Sequence, residues 1–436
     1  MKIWHNYSAK TNAPEKRASE NSTPVNHAPE QNAPEQNAPE QKTSLCSAES
    51  VRRPLSMALV MALMMFPQIV ETIYSPALTG IAAGFGITAA EAAQTLSLYF
   101  LAFALGVVIW GWLSDRIGRR PAMLAGLTLY AVASVWAVFL TSFPLLLAAR
   151  CLTALGAATG SIVTQTMMRD RYTGRQLARV FSILGMAIAV SPALGVMSGA
   201  LLTSQWGYRG VFIGLAVLAS MLLAWSVLRL PETRPDGYHK AAFKSVFFTM
   251  LSDTRLWGNA VLVAVFNVCL FSFYQLAPFM FARLGMETEI FGLAGIVLSL
   301  GVGAGAWLNK WLLARHWPEK RILHLSVGFL VVGGVTVHVL DGHISFVAPV
   351  VLVVAAYGMA IPNVLAGALV KYRACQGSAG AIFGLFYYLL LAGGLMLAGW
   401  SQHFSAVVVT CGLVAFGVLQ IESRLQNDAQ PETDLP

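Results

Sequence analysis

Long apolar runs alternate with short polar connections along most of the chain, and this pattern predicts its elements. A helix rising 1.5 Å per residue needs about 20 residues to cross a hydrocarbon core about 30 Å thick. Backbone groups in lipid must bond within their own segment, so uninterrupted apolar runs of this length predict helices rather than barrel strands. Twelve spans are expected, near residues 55–78, 92–113, 121–141, 144–167, 180–203, 208–230, 258–281, 290–313, 321–340, 345–369, 379–400 and 403–421.

Composition agrees with a chain that lies in a bilayer. Of its 436 residues, 56% are hydrophobic and 11% are charged, whereas a soluble domain has about 25% charged residues. Mean hydropathy is +0.62. The predicted fold class is therefore an all-α integral membrane protein with twelve transmembrane helices in two six-helix halves. The lipid bilayer is accordingly an expected partner.

The distribution of basic residues predicts the topology. Of the 29 lysines and arginines, all but Arg150, Arg209 and Arg283 fall in the tails or in alternate connections on one side. Cytoplasmic loops carry the excess of Lys and Arg, so both termini are predicted to be cytoplasmic. The net charge of +8 then belongs to a membrane surface, and we expect no nucleic-acid partner.

Polar stretches divide the chain into five predicted parts. Residues 1–54 repeat the unit "NAPEQ" and are rich in proline and small polar residues, which predicts a disordered cytoplasmic tail. The longest polar connection between spans, 231–257, separates an N-terminal half at 55–230 from a C-terminal half at 258–423. Residues 424–436 form a cytoplasmic C-terminal tail. Two halves of six spans are typical of transporters that rock around a site at the midplane.

Motifs for cofactor or enzyme chemistry are missing from the sequence. The five cysteines include no CxxC pair, so neither a metal site nor a disulfide is implied. The sequence contains no Walker loop, dinucleotide fingerprint or nucleophile elbow. We therefore expect no cofactor, no bound metal and no enzymatic activity.

A charge cluster between spans 2 and 3 is the most specific motif. The segment "GWLSDRIGRR" resembles the signature loop of the major facilitator superfamily in its pattern of glycine, acid, base, glycine and two bases. The matching residues are Gly111, Asp115, Arg116, Gly118, Arg119 and Arg120. Asp115 could accept charge-assisted hydrogen bonds across the interface of the halves. We interpret the loop as a latch that breaks when the cytoplasmic side opens; a simple positive-inside loop is the alternative.

Further segments resemble one group of this superfamily. Span 5 has Pro192, Gly195 and Gly199 in "GMAIAVSPALGVMSGA", similar to the proline-glycine element of proton-coupled drug antiporters, although ordinary helix packing would also use these residues. The segments "LSLYFLAFALG", "MMRDRY", "PET" and "YQLAPFMF" extend the likeness over 55–421. The resemblance is to the Bcr/CflA (bicyclomycin and chloramphenicol resistance) group, which implies proton coupling and drug export.

Two charges lie inside spans, where an isolated charge is costly and is a functional hypothesis by default. Glu71 is the candidate proton carrier; the alternative is a glutamate that faces the membrane interface. Relatives usually have aspartate at the position of Thr72, so Glu71 is turned about 100° around the helix. Arg150 resembles the arginine of span 4 in this group and would bias the acid or hold substrate. Snorkelling to the interface is its alternative.

The substrate cavity is expected between the halves, lined by spans 1, 4, 7 and 10. Each candidate polar or aromatic side chain there could instead make a helix-packing hydrogen bond. The candidates are Tyr74, Gln165, Asn267, Tyr274, Gln275 and Asn363. The aromatic segment "IFGLFYYLLL" of span 11 is interpreted as packing or lipid-facing rather than as a ligand cage.

The resemblance implies a proton-driven exporter of small amphipathic toxic compounds in a bacterial cytoplasmic (inner) membrane, working by alternating access and as a monomer. Its partners are then a small-molecule substrate and protons. One alternative is a transporter of an endogenous metabolite such as a peptide, siderophore or amino-acid derivative, because the same scaffold can serve both. A membrane sensor or scaffold that does not transport is disfavoured, since it would need neither the latch nor Arg150.

Overall fold

The computed structural model describes residues 55–235 and 243–427. Within these ranges the secondary structure is helical. The α-helices are α1 (Met57–Thr72), α2 (Leu78–Phe85), α3 (Ala89–Ile117), α4 (Arg119–Phe139), α5 (Phe143–Arg171), α6 (Gly174–Arg229), α7 (Phe243–Leu251), α8 (Thr254–Arg283), α9 (Thr288–Ala314), α10 (Glu319–Val339), α11 (Val347–Ala368), α12 (Gln376–Ser401) and α13 (Phe404–Asn427). Short 3₁₀ helices occur at Ser75–Ala77, Ile344–Phe346 and Val370–Cys375.

Twelve membrane crossings follow from these helices. In the described part of the chain, eleven helical segments are long and apolar enough to span a bilayer. One of them, α6, has 56 residues and holds two crossings, because Gly207 interrupts it with φ 63° and ψ −167°. A positive φ of this kind is unstrained only for glycine. The predicted all-α fold is confirmed, and each predicted span coincides with a helix to within a few residues.

Two pairs of helices make the most extensive contacts between the part of the chain before residue 236 and the part after residue 242. The first pair is α3 with α12, and the second is α6 with α9. In the second pair a Cβ on Gly295 would lie 2.8 Å from the Val196 side chain, and one on Gly292 would lie 2.7 Å from Ala200. Small residues on α9 therefore let it approach α6 closely.

Some predictions concern residues outside the described ranges. They are the N-terminal tail at 1–54, which includes Cys46, the middle of the connection at 231–257, and the end of the C-terminal tail. Helix α7 (Phe243–Leu251) lies within that connection. Its Phe247 packs on Phe386 of α12, with ring centroids 5.9 Å apart.

Candidate functional site

Glu71 lies at the end of α1 and is buried in protein. Its exposed fraction is 1%, so the alternative of a glutamate that faces the membrane interface does not hold. The Gln68 amide donates a hydrogen bond to Glu71 Oε2 over 3.2 Å, whereas Oε1 has no hydrogen-bond partner. Gln68 was not among the predicted site residues. It lies one helical turn before Glu71, and this spacing could have identified it from the sequence.

Arg150 lies in α5 and is held by aromatic rings. Its Cζ is 3.9 Å from the ring centroid of Tyr74 and 4.6 Å from that of Tyr99. The residue is 1% exposed, so the snorkelling alternative is wrong for this conformation. All three guanidinium nitrogens lack a hydrogen-bond partner. Tyr74 follows Glu71 by three residues, just beyond the end of α1.

The rings offset only part of the cost of burying this charge. A desolvated cation–π contact contributes about 2 kcal/mol, while an unpaired buried charge costs well beyond the 2–7 kcal/mol of a neutral polar group. Glu71 is within electrostatic range of Arg150. Yet among the described residues Glu71 and Arg150 form no ion pair with each other. The cluster therefore contains buried polar atoms of Glu71 and Arg150 that have no hydrogen-bond partner.

Tyr99 connects this cluster to the other half of the bundle. Its ring stacks on Phe103, with centroids 6.2 Å apart, and Phe103 contacts Tyr388 of α12 at 5.0 Å. Tyr388 also stacks on Phe100 at 6.2 Å. Tyr388 of "IFGLFYYLLL" thus packs against α3. Tyr99 lies inside the quoted segment "LSLYFLAFALG" but was not predicted as a site residue.

Helix α6 packs tightly against the end of α1 beside Glu71. A Cβ on Gly195 would lie 2.8 Å from the Ile69 carbonyl oxygen, and one on Gly199 would lie 2.8 Å from the Ile73 carbonyl carbon. Thr72 faces Gly195, and its hydroxyl donates to the Gln68 carbonyl over 2.8 Å. Thr72, the position at which the resemblance implied an acid, is therefore filled by helix packing. Pro192 lies within α6, three residues before this contact.

Two predicted cavity residues instead tie the halves together. Gln275 is fully buried, and its amide nitrogen lies 2.8 Å from the Ala93 carbonyl, 3.2 Å from Ser97 Oγ and 3.1 Å from the Leu395 carbonyl. The neighbouring Tyr274 carbonyl accepts a hydrogen bond from Ser75.

A second amide also joins the two halves: Gln94 donates a hydrogen bond to the Met396 carbonyl over 3.2 Å. Gly399 completes the contact: a Cβ there would lie 2.7 Å from Gln94 Nε2 and 2.8 Å from Gln275 Nε2. Every hydrogen bond that joins two described residues of different halves belongs to this group or to the Ser75 contact. All of them lie at the end of the bundle that has few basic residues, which we call the arginine-poor end.

The remaining cavity candidates make local contacts. The Asn363 amide donates to Asn309 Oδ1 of α9 over 2.8 Å and to the Met359 carbonyl, so it is a helix-packing residue in this conformation. Asn267 donates to the Val263 carbonyl and accepts from the Tyr357 hydroxyl at 3.5 Å. Gln165 is half-buried and contacts Ser161 Oγ at 3.4 Å. Asn309 was not predicted, because its partner is 54 residues away in sequence.

The signature loop lies at the opposite end, and its ion pairs stay within the N-terminal half. Arg119 Nη1 lies 2.6 Å from Asp115 Oδ1, and Arg119 Nε lies 2.9 Å from Asp170 Oδ2 of α5. Arg119 also donates to the Ser114 carbonyl over 2.9 Å. The described residues give Asp115 no partner across the halves, so the expected cross-interface contact is not formed in this conformation. Asp170 belongs to "MMRDRY" and was missed as a site residue.

Glu232 caps the start of α4 and was also missed, although "PET" contains it. Its carboxylate accepts hydrogen bonds from the backbone N–H groups of Arg119, Arg120, Thr233 and Arg234 over 2.9–3.1 Å. Partial burial opposes its charged form, but these four donors outweigh that effect and hold the pKa of Glu232 below its ordinary value.

The two glycines of the loop differ in what they do. Gly118 has φ 105°, and a Cβ there would lie 2.5 Å from Glu232 Oε2. Both the backbone conformation and the lack of space for a side chain therefore require glycine at this position. At Gly111 a Cβ would meet only Ile162, at 3.8 Å, which is ordinary contact. Arg116 stacks on Trp112 at 3.9 Å, and Arg120 donates to the Val227 carbonyl over 2.8 Å.

The C-terminal half has an ion pair of its own at the same end. Asp253 precedes α8 and accepts from the Tyr372 hydroxyl over 2.8 Å and from Lys371 Nζ over 3.1 Å. Burial opposes the charge, yet these donors keep the pKa of Asp253 below its ordinary value. Each half therefore binds its own connections together at the arginine-rich end.

The family model for the Major Facilitator Superfamily matches residues 57–395. The chain belongs to this superfamily. A protein called "Uncharacterized transporter" from Rickettsia felis is 31% identical over 371 residues, covering 81% of this chain and 91% of the relative. The multidrug resistance protein D of Escherichia coli K12 is 27% identical, covering 84% of this chain and 95% of the relative. A chloramphenicol resistance protein of Pseudomonas aeruginosa is 29% identical, covering 74% and 77%.

Solved structures give the same fold. A D-xylose–proton symporter superimposes with a TM-score of 0.66 at 16% identity, covering 82% of this chain and 96% of the symporter. A POT family transporter solved in complex with a thioalcohol-conjugated peptide superimposes with a TM-score of 0.68 at 12% identity, covering 86% and 96%. At these identities the likeness shows the architecture of this superfamily member and no substrate.

Proposed function

We propose that this superfamily member is a proton-coupled exporter of small amphipathic toxic compounds, and a transporter rather than an enzyme. The observation that carries the proposal is the cluster of Glu71 and Arg150, both 1% exposed, in which Oε1 of Glu71 and all three guanidinium nitrogens lack partners. Relatives named for multidrug and chloramphenicol resistance support the substrate class.

Glu71 is the proton carrier in this mechanism. An unpaired carboxylate inside a bundle is costly, so a proton or a polar group of the substrate can relieve the same cost. Binding of a proton at Glu71 then excludes binding of the substrate's polar group, and the reverse also holds. This competition is the basis of proton–substrate exchange. Arg150 acts as a fixed charge, because guanidinium groups do not serve as proton carriers in proteins.

Transport follows from rocking of two six-helix halves, 55–230 and 258–423, joined by 231–257. On the positive-inside rule the arginine-rich end is cytoplasmic, together with both termini. The inter-half hydrogen bonds of Gln275, Gln94 and Ser75 then close the extracytoplasmic side. We infer from this that the conformation is inward-facing, and these bonds must then break for the outward-open state.

The signature loop acts as the latch of the opposite state. In the inward-facing conformation Asp115 is paired with Arg119 in its own half. When the cytoplasmic side closes, the loop meets the other half, where Asp115 can accept charge-assisted hydrogen bonds. Gly118 and Glu232 hold the loop in shape for both states.

We propose that the protein works as a monomer in the bacterial cytoplasmic membrane. An accumulation assay in cells that lack or overproduce the protein tests the proposal. Overproduction should lower the accumulation of toxic aromatic compounds, and a protonophore should abolish this effect. A change confined to peptides or amino-acid derivatives would favour metabolite transport instead. Export that persists with the protonophore would exclude proton coupling.

A further inference from the structure

Arg150 carries a positive charge that no carboxylate neutralises at ion-pair distance, and this bears on which substrates fit. Three charged side chains are buried among the described residues, namely Glu71, Arg119 and Arg150. Arg119 is paired with Asp115 and Asp170 at the arginine-rich end. The inference rests on the proposed function, because it concerns the substrates of the same site.

Net charge in this cluster has only two values. Arg150 cannot lose its proton, so the pair is neutral when Glu71 is ionised and carries +1 when Glu71 is protonated. The site is never net negative. A permanently cationic substrate therefore meets no net attraction in one state and repulsion in the other.

Aromatic faces do not compensate a cation here, since Arg150 already occupies two of them. Its guanidinium covers the rings of Tyr74 and Tyr99 at 3.9 and 4.6 Å. What the cluster offers instead are hydrogen-bond donors without acceptors, namely the three nitrogens of Arg150. Carbonyl, nitro and similar oxygens are the groups that such donors bind.

We propose that Arg150 makes this transporter select neutral aromatic amphiphiles bearing hydrogen-bond acceptors over permanent cations of similar size. Coulomb repulsion by one unpaired charge across roughly 8–10 Å at an effective dielectric of about 20 corresponds to a discrimination on the order of tenfold. Removing the guanidinium charge should remove this discrimination. Removing the carboxylate charge should increase it.

Equilibrium binding to the purified full-length protein tests the proposal with two probes, neutral chloramphenicol and cationic tetraphenylphosphonium. The quantity compared is the ratio of their dissociation constants. Arg150→Gln should shift the ratio about tenfold toward the cation, and Glu71→Gln should shift it in the opposite direction. Arg150→Lys is the matched control, because it keeps the charge and should keep the preference for the neutral probe.

Equal affinity of the parent protein for both probes would overturn the inference, as would binding of neither. The same holds if Arg150→Gln leaves the ratio unchanged or if Arg150→Lys shifts it as far. Should Arg150→Gln fail to fold, the direction of the Glu71→Gln shift decides. Selective binding without proton-driven transport in vesicles would instead count against the proposed function and leave this selectivity intact.

Discussion

At the scale of single residues, one turn of α1 decides what the site can do. Tyr74, three residues after Glu71, contacts Arg150, whereas Thr72 faces Gly195 in the tight contact with α6. An acid one position later would enter that packed contact. The rings of Tyr74 and Tyr99 hold Arg150 in place beside this turn.

Tyr99 should contribute to transport through its ring rather than its hydroxyl, because the hydroxyl has no hydrogen-bond partner. Tyr99→Phe should retain transport. Tyr99→Leu loses a cation–π contact of about 1–2 kcal/mol and should weaken substrate binding or proton coupling about tenfold. Drug efflux at matched expression measures the difference between the two variants. Equal loss in both would mean that the hydroxyl, and not the stacked ring, is what matters.

At the scale of elements, the turn between α3 and α4 depends on one glycine and one distant acid. Gly118 takes a positive φ, and Glu232 comes within 2.9 Å of the Arg119 N–H. The turn is therefore built by a residue 113 positions away in sequence. This explains why the six-residue pattern alone did not reveal its main support.

Gly118→Ala should destabilise the protein by about 1–2 kcal/mol, because a side chain at positive φ is strained and its Cβ would displace Glu232. Gly111→Ala is the matched control, since only Ile162 lies near, at 3.8 Å. Thermal unfolding in detergent should show a lower Tm for the first variant and a nearly unchanged Tm for the second. Equal shifts would contradict the geometry of the turn.

Glu232→Gln should lower stability by about 1 kcal/mol, as for the loss of a helix cap. The pKa of Glu232 is lowered in the folded protein, so its stabilisation is fully present above the ordinary glutamate value of about 4.3. It is lost as the pH falls through the lowered value. The difference in Tm between parent and variant should shrink below about pH 4. A difference that grows with acidity would show that the charge is not the cause.

Sequence predicts the elements well and their polar contacts poorly. Apolar run length determines the crossings because lipid forces each segment to satisfy its own backbone, and even the break at Gly207 falls between two predicted spans. Polar pairing depends on tertiary contact instead. Asn363 meets Asn309, and Gln275 meets Ala93, across 54 and 182 residues, so no local pattern distinguishes a cavity residue from a packing residue.

At the scale of the whole molecule, the closed arginine-poor end depends on a few amides. Gln275 contacts α3 and α12 at once, and Gln94 adds a bond to Met396. A buried hydrogen bond whose partners are left unsatisfied costs about 1–3 kcal/mol. Such an amount changes the balance between inward-facing and outward-open states severalfold or more.

Gln275→Leu should therefore favour the outward-open state. In a background without native cysteines, Ala93→Cys should react roughly tenfold faster with a membrane-impermeant thiol reagent added outside when Gln275 is replaced. Gln205→Leu is the matched control, because Gln205 is exposed at the same end. An unchanged rate with Gln275→Leu would mean that these bonds do not hold the closed state.

Gradient-driven transport by Glu71→Gln in reconstituted vesicles tests the central claim most directly. The amide cannot exchange a proton, so an imposed pH gradient should drive chloramphenicol uptake in the parent protein and no uptake above background in the variant. Glu287→Gln, at an exposed glutamate that makes no cap contact, should behave like the parent. Gradient-driven uptake by Glu71→Gln at the parental rate would place proton coupling elsewhere or exclude it.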